Sequence, residues 1–190
     1  MDRGNHALPS LRPARLEERG ALENLMQLYA YDWSELLPLD VAADGRFAGA
    51  TLDAYWGEEG HHPFLLWVDD TLAGFALIGE RSRLTGARGV LDMAEFFVLR
   101  RFRRQGVGLA AAFAAFDRFK GPWEVRQRVV APAATAFWQR AIGAYTGGRY
   151  EEVVWSAPEW TGPVQRFSTC DTGSTAGGVQ RAYRAGGSVL

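Results

Sequence analysis

Cysteine is almost absent. Cys170 is the single one in 190 residues, so no disulfide can close within the chain and a disulfide-stapled secreted fold is excluded. Long apolar runs are missing as well: the smoothest stretch, "GLAAAFAAF", is far too short to span a bilayer, and "MDRGNHALPS" has no apolar segment of signal-peptide type. A soluble, cytoplasmic protein is the expectation. Nor does one charge dominate. The 21 Lys and Arg stand against 22 Asp and Glu, a formal net charge of -1, which speaks against a wholesale nucleic-acid or anionic-membrane binder. No Gly-Lys-Ser/Thr follows a glycine-rich turn, so there is no P-loop. His61 and His62 are adjacent and lack a third ligand at useful spacing, so a turn is expected there and no metal.

What is present suits one globular domain with a large core: 47% hydrophobic residues and 13% aromatics, seven of them Trp. "SLRPAR" is a short strand candidate. "LEERGALENLMQLYAYDWSELL" repeats Leu16, Leu22, Leu25, Met26 and Tyr29 at helical spacing, as one long helix or two short ones. "PFLLWVDD", "TLAGFALIGER" and "LDMAEFFVLR" are rich in strand formers, and a turn at Asp69-Asp70 makes them an antiparallel meander. "VGLAAAFAAFDRFKG" is a helix with Leu109, Phe113 and Phe116 facing the core, "WEVRQRVV" a strand, "PAATAFWQRAIGAY" a helix opened by proline, and "RYEEVVW" and "PVQRFST" strands. This order predicts an α/β fold in which helices cover a mixed sheet. The domain is expected over 8–168, with a Gly/Ser/Thr/Ala-rich extension over 169–190.

"RRFRRQGVGLAAAF" places four arginines within five positions before a glycine turn that opens a helix. A helix N-terminus exposes unpaired amides and the positive end of its dipole. Gly106 and Gly108 lack a Cβ that would keep a ligand away. The pattern suits a phosphate or pyrophosphate, unless the glycines only tighten the turn and the arginines face water. "GVGLAA" also fits a dinucleotide fingerprint, but several strands precede it, and Glu124 sits at the beginning of the next strand, where no ribose contact is expected.

"RRQGVG", Arg103 to Gly108, resembles the Arg/Gln-x-x-Gly-x-Gly/Ala motif of the general N-acetyltransferase (GNAT) superfamily. "EFFV" resembles that family's fourth strand and "AATAFW" the helix after its fifth; the order of elements agrees from about Leu11 to Phe167. The resemblance implies a GNAT-like mixed, largely antiparallel sheet of six to seven strands flanked by helices. It implies acetyl-CoA as co-substrate, with the pyrophosphate on backbone amides of Arg104, Gln105, Gly106, Val107, Gly108 and Leu109. Arg103 would fill the motif's first basic position, and the backbone of Phe97, Val98 and Leu99 would pair with the pantetheine arm like an added strand. A homodimer is common in the resembling family.

Acetyl transfer needs a neutral amine, so a protonated acceptor must lose a proton to a base or through water. Glu95 resembles the acidic position often seen on the fourth strand, with Asp92 as the alternative. The tyrosine that commonly follows the phenylalanine of the later helix is Trp138 here, and the asparagine six residues before that phenylalanine is Ala131. An indole N–H is a poor proton donor, which leaves Tyr145, Tyr150 or water to protonate the thiolate. For the acceptor, a primary amine, the resemblance points to "YAYDWSELL" and "AYWGEEG": Tyr29, Tyr31, Asp32, Trp33, Glu35, Tyr55, Trp56, Glu58 and Glu59 combine aromatics with carboxylates that suit a cation. Two further readings stand beside the enzyme: a non-catalytic module that holds an acyl-CoA, and nucleic-acid binding by the arginine run.

Overall fold

Three runs of Phe, Leu, Ile and Val become the centre of the sheet. They are β2 (His61–Val68), β3 (Thr71–Arg81) and β4 (Arg88–Val98), paired antiparallel as the short links between them require. Asp69 turns the first link with a φ of 53°, a left-handed conformation that Asp tolerates better than most residues. The structure is a computed structural model describing residues 9–48, 52–158 and 160–170; the tail from 171 onward lies outside the described residues. Thr169, at the start of the expected extension, is still tied to the body by its hydroxyl, which accepts from the Gly121 amide and donates to the Phe119 carbonyl, both at 3.0 Å.

β1 (Ser10–Pro13) closes one edge against β2, while β5 (Pro122–Arg126), β6 (Glu151–Ala157) and β7 (Trp160–Ser168) form the other half. The seven strands run in the order β1-β2-β3-β4-β5-β7-β6, all neighbours antiparallel except β4 and β5. This is the mixed, largely antiparallel sheet expected. β5 is shorter than "WEVRQRVV" suggests: beyond Arg126 only the amides of Gln127 and Val129 reach β7, at the carbonyls of Pro163 and Thr161, and the chain then leaves for the next helix.

The helices cover both faces. α1 (Arg19–Trp33) and the short α2 (Asp53–Gly57) lie on one face, where Leu22, Leu25 and Met26 pack against Phe75, Leu77 and Phe97. Leu16 falls in a separate 3-10 turn over Leu16–Glu18 and is 67% exposed, so the helical stripe starts later than its spacing suggests. α3 (Val107–Arg118) and α4 (Pro132–Thr146) cover the other face, burying Phe113, Phe116, Trp138 and Ile142 on Ile78, Met93, Trp123 and Val125. Each such side chain contributes roughly 1.5–3 kcal/mol of transfer free energy.

Two features of β4 shape the site. Leu77 pairs with Glu95 but Ile78 with Met93, so Ala94 is an extra residue. This bulge puts Met93 in the α3/α4 core, while Glu95 and Phe97 face α1. The second is a split. β4 and β5 share only Leu91↔Trp123 and Asp92↔Glu124, although β4 continues to Val98. Past those two rungs the strands diverge and a wedge opens between them.

Candidate functional site

The wedge leads into one continuous cleft of about 2520 Å³, lined from the α3 N-terminus through β4 to α1 and the start of β7. At the α3 end the chain takes left-handed dihedrals at Arg104 (φ 60°) and Gly106 (φ 79°). Gly106 caps the helix with no side chain, and a Cβ there would meet nothing within 4 Å, so that end is open. Ala110 is the first residue to donate into the helix, to the Gly106 carbonyl at 3.0 Å; the amides before it have no partner inside the helix. Gly108 serves helix packing, since a Cβ there would lie 3.3 Å from the Phe137 ring and 3.5 Å from Val98. It lets α3 and α4 approach and also lines the cleft.

The arginine run divides. Arg103 donates from Nε to the Val98 carbonyl at 2.7 Å and from Nη2 to Asp32, and Arg100 reaches the same carboxylate at 2.7 Å. The motif's first arginine therefore ties β4 to α1. Arg101 lies over the Phe102 ring, and Arg104 lines the cleft beside the open amides. Asp32, expected to face an acceptor, is held by these two guanidiniums. Burial raises its pKa, but Arg103 and Arg100 outweigh it and the net value lies below the usual carboxylate range.

Along β4, the Leu99 amide donates to the Ala73 carbonyl at 2.8 Å. The alternation of an antiparallel ladder then turns the backbone of Phe97 toward β3 as well; its carbonyl oxygen is so near that a Cβ on Gly74 would sit 2.0 Å away. The Leu99 amide and the Phe97 carbonyl thus face β3 and not the wedge. The groups that face the wedge belong to Val98 and Phe96, and the Val98 carbonyl is already taken by Arg103. Phe97, Val98, Arg103, Arg104, Gly106, Gly108 and Leu109 line the cleft, whereas the Val107 side chain is buried beneath it and the Gln105 amide group bonds back to the Arg101 carbonyl at 2.6 Å.

Glu95 lies deeper in the same cleft. Its Oε2 accepts from the Tyr29 hydroxyl at 2.7 Å, and Arg83 Nη1 approaches Oε1 at 3.3 Å. Burial first, then the Glu95 charge, push the Tyr29 pKa well above its ordinary value, so this hydroxyl stays a donor. Trp33 packs edge-on against Tyr29 and also lines the cleft. Asp92 is different: it is 1% exposed and clamped by Arg126 at 3.0 and 3.3 Å. Burial raises its pKa despite Arg126, and it does not reach the cleft lining. Of Glu95 and Asp92, Glu95 is the one that lines the cleft.

Trp138 is 6% exposed, packed on Phe96, Phe116 and Phe137, and belongs to the core. The Tyr145 hydroxyl donates to Asp117 at 2.8 Å, and Tyr150 packs on the α3/α4 core. On the acceptor side Tyr55 packs edge-on against His61, its pKa pushed up to about 12, chiefly by burial. His62 pairs with Glu80 at 2.7 Å. Among the described residues no three His, Cys, Asp or Glu are grouped to hold a metal, and no helix is long and apolar enough to cross a membrane.

Several lining residues carried no clear signal in the sequence: Arg83 from the β3–β4 turn, Arg126 from β5, and Trp160 from β7, whose ring lies under the Arg126 guanidinium at 5.6 Å. The alternation in "WEVR" held part of it, since Trp123 and Val125 are core and Glu124 and Arg126 face the other way.

A split mixed sheet beside an uncapped helix N-terminus defines a class of α/β proteins that can seat an extended, phosphate-bearing ligand. The chain belongs to the acetyltransferase (GNAT) family, whose model matches residues 22–146. Solved structures agree on the fold. The aminoglycoside acetyltransferase AAC(6')-Ib, in complex with coenzyme A and kanamycin, is 11% identical with a TM-score of 0.58, covering 95% of this chain and 99% of its own. A spermidine N-acetyltransferase SpeG chimera from Vibrio cholerae and hSSAT is 9% identical with a TM-score of 0.53, over 86% of this chain and 98% of its own. An acetyltransferase of the GNAT family from Staphylococcus aureus is also 9% identical with a TM-score of 0.53, over 85% of this chain and 99% of its own. No curated protein matches the chain at a significant level.

Proposed function

We propose that the protein is an N-acetyltransferase that moves the acetyl group of acetyl-CoA to a primary amine. The observation that carries this reading is the wedge between β4 and β5, which connects the open amides at Gly106 with the carboxylate of Glu95. The anionic end of acetyl-CoA would meet the α3 amides and Arg104, and its amide-bearing arm would lie along Phe96 and Val98. Glu95, directly or through one water, takes a proton from the acceptor ammonium. The amine nitrogen bonds to the thioester carbonyl carbon, the nitrogen gives up its second proton to water, the C–S bond breaks, and the sulfur leaves as thiolate. With Trp138 in the core and the Tyr145 hydroxyl engaged by Asp117, that thiolate takes its proton from water.

Acetyl-CoA at about 100 times its Kd should stabilise the protein by about 2.7 kcal/mol, or roughly 5–10 °C in Tm for a chain of this size. Glu95→Gln should keep that shift and lose a factor of about 10² or more in kcat. Full activity of the Gln variant from about pH 6 to 9 removes Glu95 as the base. A thermal shift without thiol release from any amine favours the non-catalytic module, a reading supported by the absence of an acid at Trp138.

A further inference from the structure

The acceptor end of the cleft carries more positive charge than an aromatic and acidic lining for a cationic amine suggests. Of the carboxylates named for that role, Asp32 is bound by two arginines. Arg83, Arg126 and Arg128 line the cleft, against the carboxylates of Glu95 and Glu35. Arg83 is held in place by the turn that bears it. The preceding Ser82 hydroxyl donates to the buried Glu124 at 2.5 Å and caps the amides of Leu84 and Thr85, and Glu124 is fixed in turn by Arg166 at 3.0 Å. Arg83 itself is left half-exposed, 3.3 Å from Glu95 and 3.9 Å from Asp92, while Asp92 already has Arg126 as its closer partner.

We infer that the acceptor is an amine with a carboxylate on the adjacent carbon, an α-amino acid in chemical class, its carboxylate held by Arg83 and its nitrogen by Glu95. This rests on the acetyl-transfer reading above. An α-amino acid zwitterion sets opposite charges one carbon apart, the mirror image of the Arg83–Glu95 contact. The chemistry needs that match: when Glu95 accepts the ammonium proton it loses its charge, and the acceptor carboxylate then supplies the anion Arg83 faces. One proton passes from the ammonium to Glu95 and the second, after the N–C bond forms, to water as C–S breaks; the thiolate is protonated from water and the carboxylate remains ionised throughout. A polycation would bring its second charge against Arg83.

The test measures CoA thiol release by the full chain with acetyl-CoA and a panel of L-amino acids, their carboxamides, spermidine and kanamycin. The expected result is turnover of amino acids with kcat/KM at least about 10-fold above their carboxamides, since a charge-assisted bidentate contact is worth about that factor or more. Arg83→Met should raise KM for the amino acid about 10- to 100-fold with a smaller change in kcat, and should erase the acid-over-amide preference, while Arg83→Lys restores part of it. Equal turnover of acid and amide, or preference for spermidine, overturns the inference while leaving acetyl transfer standing. Absence of both an acetyl-CoA thermal shift and thiol release overturns the acetyl-transfer reading itself. The wild-type comparison needs no variant to fold.

Discussion

Asp32→Asn separates two roles for the residue, a tether between α1 and β4 and an anchor for an acceptor. Its carboxylate is 20% exposed and receives Arg103, 40% exposed, and Arg100, 66% exposed. The Arg100 contact is largely screened by water and is worth a few tenths of a kcal/mol; the Arg103 contact, on a guanidinium also fixed to the Val98 carbonyl, is worth about 1–2 kcal/mol. Asparagine keeps one acceptor oxygen, so the net loss is about 1–2 kcal/mol, or roughly 2–8 °C in Tm for this length. The sign of the pH dependence follows from the depressed pKa: the stabilisation is complete above the ordinary carboxylate range and disappears as pH falls through the lower folded-state value. Differential scanning calorimetry should show the wild-type advantage at pH 7 and its shrinkage near about pH 3. KM for the acceptor should stay within about twofold. An unchanged Tm together with a strongly raised KM refutes the tether.

Asp92→Ala leaves Arg126, with its side chain 11% exposed, without its closest carboxylate; a loss of about 3–5 kcal/mol is expected by chemical denaturation, and a loss below about 1 kcal/mol contradicts the clamp. Gly108→Val forces a side chain against Phe137 and Val98 and should cost about 1–3 kcal/mol even without ligand, measurable as a lower denaturation midpoint.

The layers of this fold are legible because each element carries its period in its own residues. Leu22, Leu25 and Met26 mark the buried side of α1, and the Phe, Leu and Ile runs mark the central strands. The glycine turn is legible for the same local reason. The details of the site depend on partners far away in the chain. Arg100 and Arg103 find Asp32 some 68 and 71 positions earlier, and no pattern around the arginines announces it. Gly108 suggests clearance for a ligand when its segment is considered alone, yet its nearest contact is Phe137 on another helix. The backbone direction of Phe97 and Leu99 depends on strand register, and a single bulge at Ala94 reverses side-chain parity between Met93 and Glu95. Arg83 sits in a turn whose rigidity comes from Ser82 and Glu124, a long-range contact that the segment "RSRLTG" does not reveal.

Two rungs between β4 and β5 are the strand pairing that joins the halves of the sheet among the described residues. Beside them Arg126 clasps Asp92, and Ser82 reaches Glu124. Beyond the joint each arm is held on its outer side, β4 by β3 and β5 by β7, and by the helices that cover them. On the acetyl-transfer proposal, a molecule lying along Val98 and Phe96 would supply part of the ladder that the polypeptide omits. Its departure after reaction would take those rungs away again, so the unpaired edge would bear on release of the spent carrier as well as on its capture.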